Sequence, residues 1–190
     1  MANETQTAPV IKKKKKWYAV VAPKEMNNVL IGETLSQEPG ALVGRGFNVN
    51  LMTLTNDMKK QNMMARFKVT AVKESTAETE FVAFHLSTAH IRRLAKRARD
   101  KVEDSFKCKT KDGKAITVKP LLLVRSKLQR TALTSLRMAA REAITKEAEK
   151  STFMDLSLAV INGDLQRLLK QPLKKIYPVM MAEIRAVELA

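Results

Sequence analysis

Five consecutive lysines, Lys12, Lys13, Lys14, Lys15 and Lys16, form the densest positive charge in the chain. Like charges this close repel one another in a free chain, so the run gains by meeting phosphates and releasing their counterions, which needs no fold of its own. A membrane-surface or nuclear-import-like patch is the alternative, but no amphipathic helix or lipidation signal stands beside it. A second group, Arg92, Arg93, Lys96, Arg97 and Arg99, falls on one face of a helix read at 100° per residue, opposite Ile91, Leu94, Ala95, Ala98 and Val102. Guanidinium groups bind phosphate oxygens bidentately. A merely solvated face would intersperse Glu, whereas Asp100, Glu103 and Asp104 come only towards the C-terminal end. Lys127, Arg130, Arg137 and Arg141 share one sector of a longer helix, and beyond them Glu142, Glu147 and Glu149 mix with Lys146 and Lys150 as ordinary salt-bridged surface. The Asp112-Gly113 turn would carry Lys109, Lys111 and Lys114 away from the core, either towards phosphate or as a lysine-guarded sheet edge. Arg45 lies among the three glycines of GALVGRGFN at 40–48, which resembles an anion-cradling loop but lacks the Lys-Ser/Thr ending of a nucleotide-binding one.

These groups sit on a chain with 35 Lys plus Arg, 19 Asp plus Glu and a net charge of +16. Such a surplus repels itself in a compact state, so a polyanion is the expected partner: RNA, DNA or an anionic membrane. No apolar run approaches the ~18 residues of a membrane span, and the basic N-terminal stretch is not followed by a signal-peptide core, so insertion and secretion are not expected. Cys108 is the sole cysteine, which excludes an intrachain disulfide and a cysteine-based zinc site and fits a reducing cytosol. His85 and His90 flank a strand-to-helix junction without neighbouring carboxylates, so no metal is expected. Ser, Asp and Glu show no nucleophile elbow or paired-carboxylate spacing. The expected protein is a structural RNA-binding one with no catalysis, no cofactor and no small-molecule substrate. A free DNA-binding or chromatin-like basic protein is the alternative, separable by location and not by charge.

The elements needed to hold these cations read as α+β. Residues 1–15 are expected to be a disordered basic arm, and 16–190 one α+β domain. Trp17 to Ala22 is β-prone up to Pro23, and MNNVLIGETLSQ reads as loop with a short strand. Phe47 to Thr53, Phe67 to Ala71 and Phe81 to Leu86 are further strands, on period two or apolar run, of an antiparallel sheet that could close towards a barrel. A helix capped by Thr88 and running to Val102 is inserted. Asp112-Gly113 predicts a type I′ hairpin between 106–110 and 115–118. The helical C-terminal third comprises a helix from Ser126 past Lys150, a second from Thr152 to Ile161 broken at Asn162-Gly163, and a continuation that stops before Pro172. Glu183 to Leu189 is the last strand.

KKKKKWY at 12–18, AP at 22–23, IGET at 31–34, LVGR at 42–45, RFKVT at 66–70, HIRRLAKR at 90–97, TKDG at 110–113, IYP at 176–178 and EIR at 183–185 occur in order along nearly the whole chain. This set resembles the archaeal and eukaryotic small-subunit ribosomal protein family eS-one, also called S-three-a-e. The resemblance implies a β-rich domain with added helices on the platform of the small subunit, near the mRNA exit. The implied partners are small-subunit rRNA and neighbouring ribosomal proteins, with mRNA close by, in the cytoplasm. It carries RNA contact to the lysine arm, to Arg45 and to the basic helix at 91–99. LMTLTNDMKKQNMMA and VAFHLSTAHIRR depart from the family's usual form, which puts local loop contacts in question. The short chain looks archaeal.

Overall fold

The computed structural model describes residues 14–95 and 100–189. In chain order they form β1 (Lys16–Val21), β2 (Leu30–Ser36), β3 (Gly46–Asn50), α1 (Leu51–Thr55), β4 (Met63–Lys73), β5 (Thr76–Leu86), α2 (Thr88–Leu94), β6 (Lys101–Glu103), β7 (Phe106–Lys109), β8 (Ala115–Val124), α3 (Arg130–Lys150), α4 (Phe153–Asn162), α5 (Asp164–Lys174) and β9 (Val179–Leu189). The class is α+β, as the patterning implies.

The strands make one sheet of order β2-β1-β5-β9-β8-β6, with β3 and β4 on the other edge of β5 and β7 beside β6 on β8. It is open and not closed into a barrel. It is also not wholly antiparallel, because β1 runs parallel to β5 over Ala19–Val21. The cause lies in β5, whose 11 residues are paired along one edge by two different strands, neither of which follows it from end to end. Its start pairs with β1 and its end, Ala83–His85, with β9. The edge is therefore shared by two strands, and the sheet forks where a barrel would have to close.

Period two decides the inner face. Ala65, Phe67 and Val69 of β4 are buried while Arg66, Lys68 and Thr70 are exposed. β8 instead has Leu121, Leu122, Leu123 and Val124 all buried, the continuous apolar run of a strand covered on both sides. The main core joins Phe67, Phe81, Phe84 and the β8 leucines to Leu136, Ala140, Ile144 and Ala148 of α3 and to the apolar faces of α4 and α5. A smaller core, Tyr18, Val20, Leu42, Val69 and Ala77, sits under the β1 end.

Further local expectations are corrected. The helix after β5 ends at Leu94, not Val102: Val102 pairs with Leu122 in β6, and the Asp100 carbonyl accepts the Val124 N–H at 3.0 Å. The spacing of Val102 satisfies a helical stripe, but β8 offers it a ladder. The 110–114 hairpin is not type I′. Only Gly113 has positive φ (+73°), and the Thr110 N–H donates to the Lys114 carbonyl at 3.1 Å, which makes a three-residue loop with a glycine bulge. The long helix begins at Arg130, not Ser126, and α5 continues through Pro172 to Lys174.

Gly163 ends α4 and starts α5 at φ +84°, donating to the Ala159 and Val160 carbonyls. An added Cβ would meet nothing within 4 Å. Gly163→Ala therefore carries only the backbone cost of about 1–2 kcal/mol for a left-handed L-residue. Thermal denaturation should show the midpoint lowered by about 2–8 °C.

Candidate nucleic-acid interface

Lys14 and Lys15 precede β1, Lys16 opens it, and all three are exposed. Lys12, Lys13, Lys96, Arg97 and Arg99 lie outside the described residues. Arg45 lies at the same end of the sheet as β1, where its guanidinium donates to Thr34 Oγ1 at 2.6 Å and more weakly to the Leu35 carbonyl at 3.5 Å. Gly44, at φ +88°, turns the chain so that the Gly44 N–H and Arg45 carbonyl both bond Val69. The glycine loop thus locks Arg45 against β2. Arg92 and Arg93 stand exposed in the last turn of α2, and Arg93 donates to Asn62 Oδ1 at 3.0 Å.

The stripe assigned to the long helix divides. Lys127 lies in the loop before α3, held there by the Leu128 N–H donating to the Asp100 carboxylate at 2.8 Å. Arg130 and Arg137 are exposed on α3. Arg141 is engaged internally: its guanidinium is bidentate to Asp104, nearest contact 3.0 Å, and lies 5.3 Å from the Phe106 ring centroid. This pins α3 to the turn between β6 and β7. The predicted mixed surface beyond it is present as Glu142–Lys146 and Glu147–Lys150 pairs.

The hairpin tip does not project free of the body. The Phe153 N–H donates to Asp112 Oδ2 at 3.2 Å and the Lys111 N–H to the Ser151 carbonyl at 3.1 Å, which clamps the turn to the α3–α4 junction. Lys109 and Lys111 remain exposed, while Lys114 pairs with Glu80 at 3.2 Å.

Cations therefore fall into two sets. Lys73, Lys101, Lys114, Lys119, Arg141, Lys146, Lys150 and Arg167 are paired with described carboxylates. Among the described residues no such pair is formed by Lys14, Lys15, Lys16, Arg45, Arg92, Arg93, Lys109, Lys111, Lys127, Arg130 or Arg137. These lie at the β2-β1 end of the strand order, at the other end on β7 and the loops either side of β8, and on α2 and α3.

The sequence profile described as the Ribosomal S3Ae family matches residues 9–190. The chain belongs to the Ribosomal S3Ae family. It is 34% identical over 173 residues to the small ribosomal subunit protein eS1 of Nanoarchaeum equitans, covering 91% of this chain and 87% of that one. It is 34% identical to the same-named protein of Halorubrum lacusprofundi (94% and 83% covered) and 32% identical to that of Methanothrix thermoacetophila (100% and 90%). In this S3Ae-family chain the stretches that carry the resemblance have structural work: IGET lies within β2, TKDG forms the clamped hairpin, and Tyr177 of IYP shares a 2.7 Å hydrogen bond with Ser126 across the loop before α3.

Several exposed cations of this family member escaped the sequence reading. Arg66 and Lys68 point outward from β4, as the alternation placing Phe67 and Val69 inward already required. Lys59 and Lys60 line a cleft with Arg167 and Lys170 of α5, and only the folding of α5 against β9 brings these together. Other titratable groups look structural. Burial, with Glu149 adding to it, pushes the Cys108 thiol up to about 11, so it stays protonated at neutral pH. Burial lowers the His85 pKa, with Lys119 and Arg66 adding to it, against Glu188 at 3.6 Å. Among the described residues no three His, Cys, Asp or Glu side chains converge as a metal site, and no helix is long and apolar enough to cross a membrane.

Proposed function

We propose that this chain is a structural constituent of the small ribosomal subunit in the cytoplasm, binding rRNA on the platform near the mRNA exit and supporting translation without catalysis. The names of its relatives support the ribosomal role. The observation that carries RNA binding is the separation of cations into two sets: one is neutralised by carboxylates and holds the fold, the other is unneutralised on several surfaces. A protein whose open charges lie at both ends of its sheet can bridge RNA segments that would otherwise repel each other. The lysine run extends one of those ends. Arg45, Arg92 and Arg93 are oriented contacts, Lys109, Lys111, Lys127, Arg130 and Arg137 are further phosphate contacts, and Arg141 and Lys114 serve the fold first. Neighbouring ribosomal proteins and mRNA near the exit are the remaining partners.

Sucrose-gradient sedimentation of lysate from cells producing the tagged chain tests this. Co-migration with the small subunit through moderate salt and release as salt rises is the expected result. Recovery in a nucleoid fraction, or at the top of the gradient at every salt concentration, would overturn it.

A further inference from the structure

The chain's single tryptophan is left largely uncovered. Trp17 is 64% exposed, and the β1/β2 register sets it opposite Leu35. Tyr18, Val20, Thr34 and Ser36, on the other face of the same ladder, are buried. One face of this two-stranded edge is thus packed on the smaller core, and the face bearing the indole is open to solvent. A Trp side chain carries about 150–250 Å² of surface, so leaving it open at an ordered strand position forgoes much of what the residue offers a core.

The charge on its N-terminal side is positive. Lys14, Lys15 and Lys16 immediately precede it, exposed and without a described carboxylate partner. At about 3.3 Å per strand residue, Lys15 lies within roughly 7 Å of the indole along the chain, close to the reach from a base to its own phosphates, whereas Lys16, paired with Ser36, projects from the other face. Arg45 belongs to the opposite face of this ladder, where its guanidinium is held by the Thr34 side chain. The carboxylate of this ladder, Glu33, faces Ala19 two residues further along β1, so the positive potential is strongest towards Lys14. An apolar protein partner would have to desolvate these cations without compensation, whereas a nucleotide supplies a flat apolar ring for the indole and an anion for the lysines. A paired base cannot do this, since the faces of bases in an A-form helix are already stacked.

We propose that Trp17 is a stacking platform for an unpaired RNA nucleobase, with Lys14 and Lys15 holding the adjoining phosphates. This rests on the RNA-binding function proposed above and specifies single-stranded RNA as what this end of the sheet takes.

Because Trp17 is the sole indole, its fluorescence reports this site alone. The full chain would be titrated with an eight-nucleotide oligoadenylate and, separately, with an RNA duplex of similar charge. Saturable quenching by the single strand and little by the duplex is expected. Trp17→Ala should weaken single-strand binding by about 5- to 150-fold, the range of one base–aromatic stack, and leave duplex binding unchanged. Trp17→Phe should keep most of the affinity. The exposure of Trp17 makes both variants foldable, which circular dichroism would verify. Affinity unaltered by Trp17→Ala but abolished on replacing Lys14 and Lys15 by Gln would overturn the stacking platform while leaving RNA binding intact. Emission indifferent to RNA but blue-shifted by small-subunit proteins alone would assign the face to a protein and likewise overturn it. No binding of either RNA by the unaltered chain would instead sink the functional reading itself.

Discussion

Replacing Arg92, Arg93, Arg130 and Arg137 together by Gln is expected to weaken rRNA binding and flatten its salt dependence. Each duplex phosphate that a cation ceases to neutralise reduces the slope of log K against log salt by about 0.9, so removing four guanidinium groups flattens it by up to about 3.6. All four side chains are exposed on α2 and α3 and form no ion pair with a described carboxylate, so the fold should survive. Arg141→Gln provides the contrast. It removes the bidentate pairing with Asp104, whose side chain is only 14% exposed, and should cost about 1 kcal/mol of stability given the partial exposure of the arginine. The slope should barely change. Filter binding across a salt series, with thermal melts of the same samples, separates the two outcomes; an unaltered slope in the fourfold variant would show that these arginines are only solvated.

Phe81→Ala should produce the largest loss of stability. Phe81 is 2% exposed, meets Phe67 of β4 edge-on at 5.8 Å between centroids, and meets Phe153 at the start of α4 at 5.7 Å. It is where the sheet's inner face touches the helical third, and truncation leaves a cavity between two layers that cannot both collapse onto it. The expected cost is about 3–5 kcal/mol. That is a large share of the total for a domain of ordinary stability, about 5–15 kcal/mol. Urea denaturation should show the midpoint fall with little change in the slope m, and Phe81→Leu should recover part of the stability. A cost below about 1 kcal/mol would mean that α4 is not anchored through this ring.

The apolar patterns that place Phe67 and Phe81 on strands were legible because each is a local consequence of where side chains point along a strand. Turn and cap chemistry was legible in part. Asn162-Gly163 marks the α4–α5 break because only glycine takes φ +84° without strain. By contrast, the two-residue turn joining β4 to β5 is Glu74-Ser75, with Glu74 at φ +50°, and contains no Gly, Asn or Pro to announce it. β2 was only half legible for a similar reason: Gly32 weakens its pattern, and the strand is stabilised by pairing with β1.

Among the cations, sequence determined which residue types were present and which local face each would take, and with that the need for a polyanionic partner and the ordered motifs of the Ribosomal S3Ae family. Tertiary structure decided which charges are open. Arg141 and Lys114 look no different from Arg137 and Lys111 in the sequence, yet Asp104 and Glu80 reach the first two from 37 and 34 residues away. Val102 likewise left its helical stripe for β8, and β9 entered between β5 and β8 from the far end of the chain. Local pattern is set by bonds between near neighbours. Charge neutralisation and strand pairing depend on through-space interactions, which exist only once distant segments have been brought together.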